Sequence, residues 1–364
     1  MTAVRGGRAP VPVRRPARTP VRLPGPGGAK ALPDPPPLAA AAGRPAGPGP
    51  AARIGGPGGP GGPGEAAGDR HTAWLVRHRL LAGAEEELYR SYALPELIRH
   101  AYPGAPVAER ELLTDLLGWY TVLDDRFDGP LGRDPALARG LVRRLTEIMV
   151  TPPAVRPARG VLGAWSELWV RQCRGRTAVW RSRAARDWSD CLGTFVAETA
   201  HRSRGSLPSV AETTLLRRHA SCLYPFMNML ERVQGAELPR RLRAGPAWHR
   251  LRAHTADAAT LVNDLYSLAR EEERGSGFNM VLVLRREHGL GREEALTAVR
   301  NRVRVLRRES ELLRARLARE HPGCGRYLEG TRELVDGVCA WSATTARYRG
   351  PKSQLPGVSV ASLV

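Results

Sequence analysis

Lysine is nearly missing from this 364-residue chain: Lys30 and Lys352 stand alone, and arginine supplies the rest of a formal charge of +20. That skew, beside abundant Ala, Gly and Pro, reads as the composition of a GC-rich genome rather than as selection for a basic patch. Aromatic residues make up 5%, and no segment interleaves them with clustered Arg as a nucleic-acid stacking platform requires. No nucleic-acid partner is expected. Cysteine is scarce too. Cys173, Cys191, Cys222, Cys324 and Cys339 form no CxxC pair and are odd in number, which argues against a disulfide framework or a structural zinc site and fits a reducing cytoplasm. No apolar run approaches the ~18 residues of a membrane-spanning helix. The N-terminus has no apolar stretch of the signal-peptide kind. A cytoplasmic protein, monomer or homodimer, is expected.

What the chain does have is unevenly spread. Residues 1–68 are close to half Gly plus Pro, with runs such as Pro35-Pro36-Pro37. Such a segment breaks helices, lacks donors and offers little to bury, so a disordered tail is expected. From Asp69 the texture changes. Apolar residues recur at spacings of three and four, without alternating strand-like runs. Helices are predicted around Leu112–Tyr120, Leu137–Met149, Val161–Arg171 and Thr177–Arg202. A fifth runs from Pro208 to Val233 with a kink at Pro225, and others cover Ala247–Arg274, Arg292–Glu320 and Gly325–Tyr348. The expected architecture is an all-α bundle over residues 69–349, with a loose end at 350–364.

Two groups of oxygen donors interrupt these helices. The first is Asp124-Asp125-Arg126-Phe127-Asp128. On a helix Asp124 and Asp128 share a face one turn apart, while Asp125 points roughly 100° away. Stacked carboxylates repel unless a cation lies between them, and hard oxygen donors suit Mg²⁺. A solvated, Asp-rich helix end is the other reading this motif leaves open. The second group is Asn263, Ser267 and Glu271, at i, i+4 and i+8. They line one helical face at about 6 Å per step. An amide, a hydroxyl and one carboxylate make a weak cage alone, but a good one when a phosphate group completes the shell. A polar surface stripe is the competing reading, and Leu261, Val262, Leu265 and Leu268 weaken it.

These residues resemble the motifs of bacterial class I terpene cyclases. Asp124 to Asp128 is similar to the aspartate-rich DDxxD motif, and Asn263 to Glu271 matches NDxxSxxxE. Trp341-Ser342 with Arg347-Tyr348 resembles the family's C-terminal ending. Arg217 lies 46 positions before Asn263, where the family carries a diphosphate-sensing Arg, and Ser221 resembles its effector. Ala220, between them, departs from the more usual Asp or Thr. The resemblance covers about Ala73 to Tyr348.

It implies a class I terpenoid synthase bundle around a central apolar cavity. It also implies a Mg²⁺-dependent enzyme that ionises a prenyl diphosphate and cyclises the cation. Asp124 and Asp128 would then hold two Mg²⁺, and Asn263, Ser267 and Glu271 a third. Asp125 would sooner hydrogen-bond an Arg. Arg217, Arg270, Arg347 and Tyr348 would grip the diphosphate. Tyr120, Phe226 and Trp341 are candidate cavity aromatics, each equally readable as ordinary core, with Thr121, Met227 and Leu230 beside them. Trp165, Trp169, Trp180 and Trp188 read as packing residues. His249 and His254 lack any partner that would make them a base.

Farnesyl diphosphate is the expected substrate. The tail resembles the extension of 2-methylisoborneol synthases, which favours geranyl or 2-methylgeranyl diphosphate as the alternative. From another class, a non-catalytic basic helical protein binding nucleic acid or anionic lipid would leave the Asn263/Ser267/Glu271 line unexplained.

Overall fold

The computed structural model describes residues 63–151 and 159–349. Among them the chain forms α-helices and short 3-10 turns, with no β-strand. Helices α1 (Pro63–Arg77), α2 (Glu85–Ser91), α3 (Leu94–Ala101) and α4 (Val107–Phe127) come first. Then follow α5 (Pro135–Val150), α6 (Gly160–Cys173), α7 (Ala178–Arg204), α8 (Val210–Ala220) and α9 (Leu223–Val233). A short α10 (Arg240–Arg243) leads to α11 (Pro246–Arg274), α12 (Met280–His288), α13 (Arg292–Glu320) and α14 (Gly325–Thr344). The expected all-α bundle is what forms. Its first helix begins at Pro63, before the boundary expected at Asp69. The remainder of the expected tail, Pro152-Pro153 and residues 350–364 lie outside the described residues.

Local chemistry sets the helix ends. Asp134 accepts the N–H groups of Ala136 at 2.8 Å and Leu137 at 3.0 Å, with Pro135 opening α5. Ser209 and Glu212 form a capping box at the start of α8. Each such cap stabilises its helix by about 1 kcal/mol. Helix α11 stops at Gly275, whose φ of +64° suits a residue without Cβ.

Two expectations about helix continuity fail. The helix predicted over Pro208–Val233 is two helices, α8 and α9, and the break falls at Ser221-Cys222 rather than at Pro225. Cys222 takes φ +60°, a left-handed conformation that ends α8. Pro225 sits in the first turn of α9, where a missing N–H costs nothing. The final helix, predicted to reach Tyr348, stops at Thr344. Thr345 is extended at ψ 141°, and a 3-10 turn over Ala346–Tyr348 then re-aims the last two side chains.

Tryptophans fill the centre of the core. Trp119 stacks on Trp165 with centroids 4.5 Å apart, and Trp188 meets Trp165 edge-on at 4.8 Å. This clamps α4, α6 and α7 together, and truncating one such ring costs about 3–5 kcal/mol. Trp169 tilts against Trp165, and Trp180 is fully buried. Partly buried ion pairs hold α9 in place. Glu231 takes both Arg183 donors at 2.7 and 2.8 Å, and Arg232 forks onto Glu109 at 2.7 and 2.9 Å. Helix α14 approaches α3 so closely that a Cβ on Gly337 would sit 2.6 Å from the Ala101 nitrogen. All five cysteines are free thiols. Among the described residues no helix is long and apolar enough to cross a membrane.

Candidate active site

Helix α4 presents Leu117, Tyr120, Thr121, Asp124 and Asp128 along one face, and all five line a cavity of about 890 Å³. Asp125, turned away by the helical twist, is fully buried. It accepts two hydrogen bonds from Arg347, at 2.7 and 2.8 Å, and one from Arg270 at 3.0 Å. Burial works against its charge, but Arg347 and Arg270 outweigh it and hold its carboxyl below the usual range.

Asp124 behaves oppositely. Its side chain is 46% exposed, but onto the cavity and between protein walls. Burial and the Asp128 charge push its carboxyl up to about 7, with Arg347 pulling the other way. Asp128 is raised as well, by burial and then Asp125, against Arg270 and Arg274. It accepts from Arg274 at 3.0 Å. Two neighbouring carboxylates driven toward the protonated state form a site short of positive charge.

Helix α11 supplies the facing row. Asn263, Ser267 and Glu271 line the same cavity, and the Ser267 hydroxyl donates to Glu271 Oε1 at 2.5 Å. Asn263 Nδ2 donates to the Tyr348 hydroxyl at 2.5 Å. Arg217, from α8, donates to Asn263 Oδ1 at 3.2 Å and to Asp264. Asp264 is fully buried, and it also accepts the Met280 N–H at 2.9 Å. It therefore anchors Arg217 rather than facing the cavity. Burial would lower the Arg217 pKa, but Asp264, Glu271 and Glu198 together raise it, so the guanidinium is permanently charged. Burial raises the Tyr348 hydroxyl to about 12, keeping it a donor.

The donor set fits a hard cation held jointly with a ligand. Among the described residues no three His, Cys, Asp or Glu side chains converge as a closed cage. Oxygen donors instead stand on two helices of one cavity, with outside oxygens left to complete a shell. Anion donors are also in reserve: Nε of both Arg217 and Arg270 is buried without a partner.

The aromatic candidates all line the cavity, with the polar atoms of Tyr120 and Trp341 spent on the frame. Tyr120 donates to the Ala220 carbonyl at 2.5 Å. This bond ties the α8–α9 break, beside Ser221, directly to the Asp-rich helix. Trp341 Nε1 donates to the Tyr92 carbonyl at 2.7 Å, and its ring meets Tyr348 edge-on. The Phe226 carbonyl accepts from Tyr102 at 2.7 Å. Met227 and Leu230 do not line the cavity. Met227 is fully buried in the core, and Leu230 packs where α14 carries Gly330. His249 is exposed, and His254 lies 3.6 Å from Glu309, away from the cavity.

Some lining residues escaped the sequence reading. Phe195, which stacks on Phe127 at 4.2 Å, and Glu198, paired with Arg202 at 2.9 Å, come from α7. Their i, i+3, i+7 spacing with Arg202 was the available signal. Leu97 and Ala101 from α3, with Tyr102 just after it, form another wall, and the apolar spacing of Leu94, Leu97, Ile98 and Ala101 at i, i+3, i+4 and i+7 was the available signal.

Known proteins are similar to this chain in sequence and structure. Residues 115–309 match the family model described as terpene synthase family 2, C-terminal metal binding. Pristinol synthase of Streptomyces pristinaespiralis is 32% identical over 315 residues, covering 82% of this chain and 84% of that protein. Isoafricanol synthase of Streptomyces violaceusniger is 33% identical, covering 78% and 80%. The crystal structure of linalool/nerolidol synthase from Streptomyces clavuligerus, in complex with 2-fluorogeranyl diphosphate, superposes with a TM-score of 0.71. It is 27% identical, over 77% of this chain and 98% of that one. These matches set the non-catalytic reading aside: the chain belongs to the bacterial class I terpene synthases, and it is a metal-binding terpene cyclase that releases diphosphate.

Proposed function

We propose that the protein cyclises farnesyl diphosphate to a sesquiterpene skeleton, with Mg²⁺ as its metal. The observation that carries this is the division of one cavity. Its carboxylates and arginines gather around Asp124, Asn263 and Arg347, while Leu94, Leu97, Ile98, Phe226 and Leu334 supply apolar wall. The volume of 890 Å³ lies in the ~300–1,000 Å³ range of small-molecule sites.

Asp124 with Asp128 would hold two Mg²⁺, and Asn263, Ser267 and Glu271 a third. Bound there, the ions neutralise diphosphate charge and make it a competent leaving group. The chain's own donors add to this. Arg217 and Arg270 carry an unspent Nε, and Arg347 reaches past Asp125 to Asp124 at 3.4 Å. With Tyr348, these groups orient the diphosphate and stabilise the charge that develops on it. The apolar wall keeps bulk water from the allylic cation, and the faces of Tyr120, Phe226 and Trp341 stabilise it by ~1–2 kcal/mol each. The diphosphate takes the final proton, so no histidine is needed. Ser221 at the α8–α9 break transmits diphosphate binding from Arg217, through the strand of backbone that Tyr120 holds at Ala220.

Purified protein would be incubated with Mg²⁺ and, separately, geranyl, 2-methylgeranyl, farnesyl and geranylgeranyl diphosphate. Products would be identified by gas chromatography and mass spectrometry. A cyclic C15 product from farnesyl diphosphate is expected. Turnover confined to geranyl or 2-methylgeranyl diphosphate would replace this substrate with the shorter alternative.

A further inference from the structure

We infer that Thr121 is a positioning residue that seats one water molecule at the edge of the cation chamber, so that the product of this enzyme is a cyclic alcohol. The inference rests on the cavity being the cyclisation chamber and adds the way the reaction ends.

Threonines inside helices usually spend their hydroxyl on the carbonyl one turn back. Here Thr114 donates to Arg110 and Thr255 to Leu251, both at 2.8 Å. Thr260, also on the cavity wall, donates to Ala256 at 2.8 Å. Thr121 makes no such bond to Leu117. It is 7% exposed, lines the cavity, and makes no hydrogen bond among the described residues. Other cavity hydroxyls are committed: Tyr102 to Phe226, Tyr120 to Ala220, Ser221 to Arg218 and Ser267 to Glu271. The Thr121 oxygen is open to the cavity rather than sealed in the core, so a hydrogen-bonding site is offered to whatever occupies the chamber.

The position suits a water. Thr121 and Asp124 stand at i and i+3 on the cavity face of α4, so their Cβ atoms lie about 5–6 Å apart. One water spans that gap, donating one hydrogen to Thr121 Oγ1 and the other to the Asp124 carboxylate. Its lone pairs then point into the chamber. Two polar partners meet the minimum for an ordered buried water. A water held by Asp124 would lie beside the polar group of Asp124, Asn263 and Arg347, where the diphosphate is proposed to sit. It therefore meets positive charge only when ring closure returns the cation toward that end.

The termination step balances. The water oxygen forms a C–O bond to the tertiary or secondary cation, and one O–H bond breaks. The proton goes to an oxygen of the diphosphate released at ionisation. Nothing is oxidised or reduced, and water is the only co-reactant.

The test uses the full chain with Mg²⁺ and the diphosphate that it turns over, in water enriched in ¹⁸O. Wild type should give a cyclic alcohol carrying ¹⁸O. Thr121→Val, which keeps the shape and deletes the hydroxyl, should lower the alcohol-to-hydrocarbon ratio by at least about tenfold. Thr121→Ser should restore that ratio. If Thr121→Val does not fold, Thr121→Ala is read on the same ratio. A wild-type product that is purely hydrocarbon, or a ratio unmoved by losing the hydroxyl, overturns the assignment. Failure of every prenyl diphosphate to give a terpenoid would sink the chamber reading instead, so the two failures are told apart.

Discussion

Arg347 clasps Asp125 with both ends of its guanidinium, Nη1 to Oδ2 at 2.7 Å and Nη2 to Oδ1 at 2.8 Å. Both side chains are buried, at 7% and 0% exposure. The pair joins the C-terminal 3-10 turn to the Asp-rich helix, and Arg270 joins the same carboxylate from α11 at 3.0 Å. Three parts of the chain meet on one oxygen pair. The neighbouring acid, Asp124, is thereby left to the cavity.

Replacing Asp125 with Asn should therefore hurt stability first. It strands two buried guanidinium groups, a loss on the order of 3–5 kcal/mol. In a domain of this size that corresponds to a fall in Tm of roughly 10 °C. Asp124→Asn should lower Tm little, because burial already disfavours that charge. Differential scanning calorimetry of both variants checks the contrast. An equal loss in the two would remove the structural role assigned to Asp125.

Asn263→Leu and Glu271→Gln should each abolish turnover while leaving the far-ultraviolet circular dichroism spectrum helical. The loss should exceed the ~10–100-fold typical of removing a group behind a metal ligand. Because neither helix completes a cage, Mg²⁺ alone or inorganic diphosphate alone should raise Tm little, and the two together should raise it clearly. Either variant should lose that joint shift. Full turnover in either one would refute the site.

His71 offers a pH test outside the cavity. Its Nδ1 lies 2.8 Å from Asp115, and its Nε2 lies 2.7 Å from the Tyr89 hydroxyl. Burial lowers its pKa below 6.5, although Asp115 pulls upward. The unfolded chain thus takes up a proton at His71 that the folded chain resists. Stability contributed by neutral His71 is present above pH 6.5 and is lost as pH falls below it. Tm measured between pH 7.5 and 5.5 should decline in wild type. In His71→Gln it should start lower and decline less. Parallel slopes would show that another group controls the effect.

Removing residues 1–62, which leaves α1 whole, should change Tm and turnover little. A large loss of either would show that this Pro/Gly-rich stretch contributes to folding or catalysis.

The motif residues were readable because a helix converts spacing into geometry. Asp124 and Asp128, or Asn263, Ser267 and Glu271, share a face whatever the rest of the chain does. The same local rule separated Asp125 from its neighbours. It could not show the break at Cys222, since a left-handed non-glycine residue has no signal in composition, whereas Pro225 has a strong one that carried no consequence. Nor could it show that Met227 and Leu230 pack into the core while Phe226 on the same helix lines the cavity. The apolar face of α3 was written in the spacing of Leu94, Leu97, Ile98 and Ala101, but the cavity it borders was not. Leu97, Ala101 and Tyr102 line the cavity where α14 comes close to Ala101 at Gly337.

By itself, then, the order of residues determined the helical class, the two rows of oxygen donors and the family to which the chain belongs, because each is written in spacings within a few turns. Tertiary structure decided which arginine each carboxylate meets, where the eighth helix stops, and which hydroxyl is left facing the cavity unpartnered. Those depend on side chains brought together from distant parts of the chain, and packing alone selects among the partners that spacing allows.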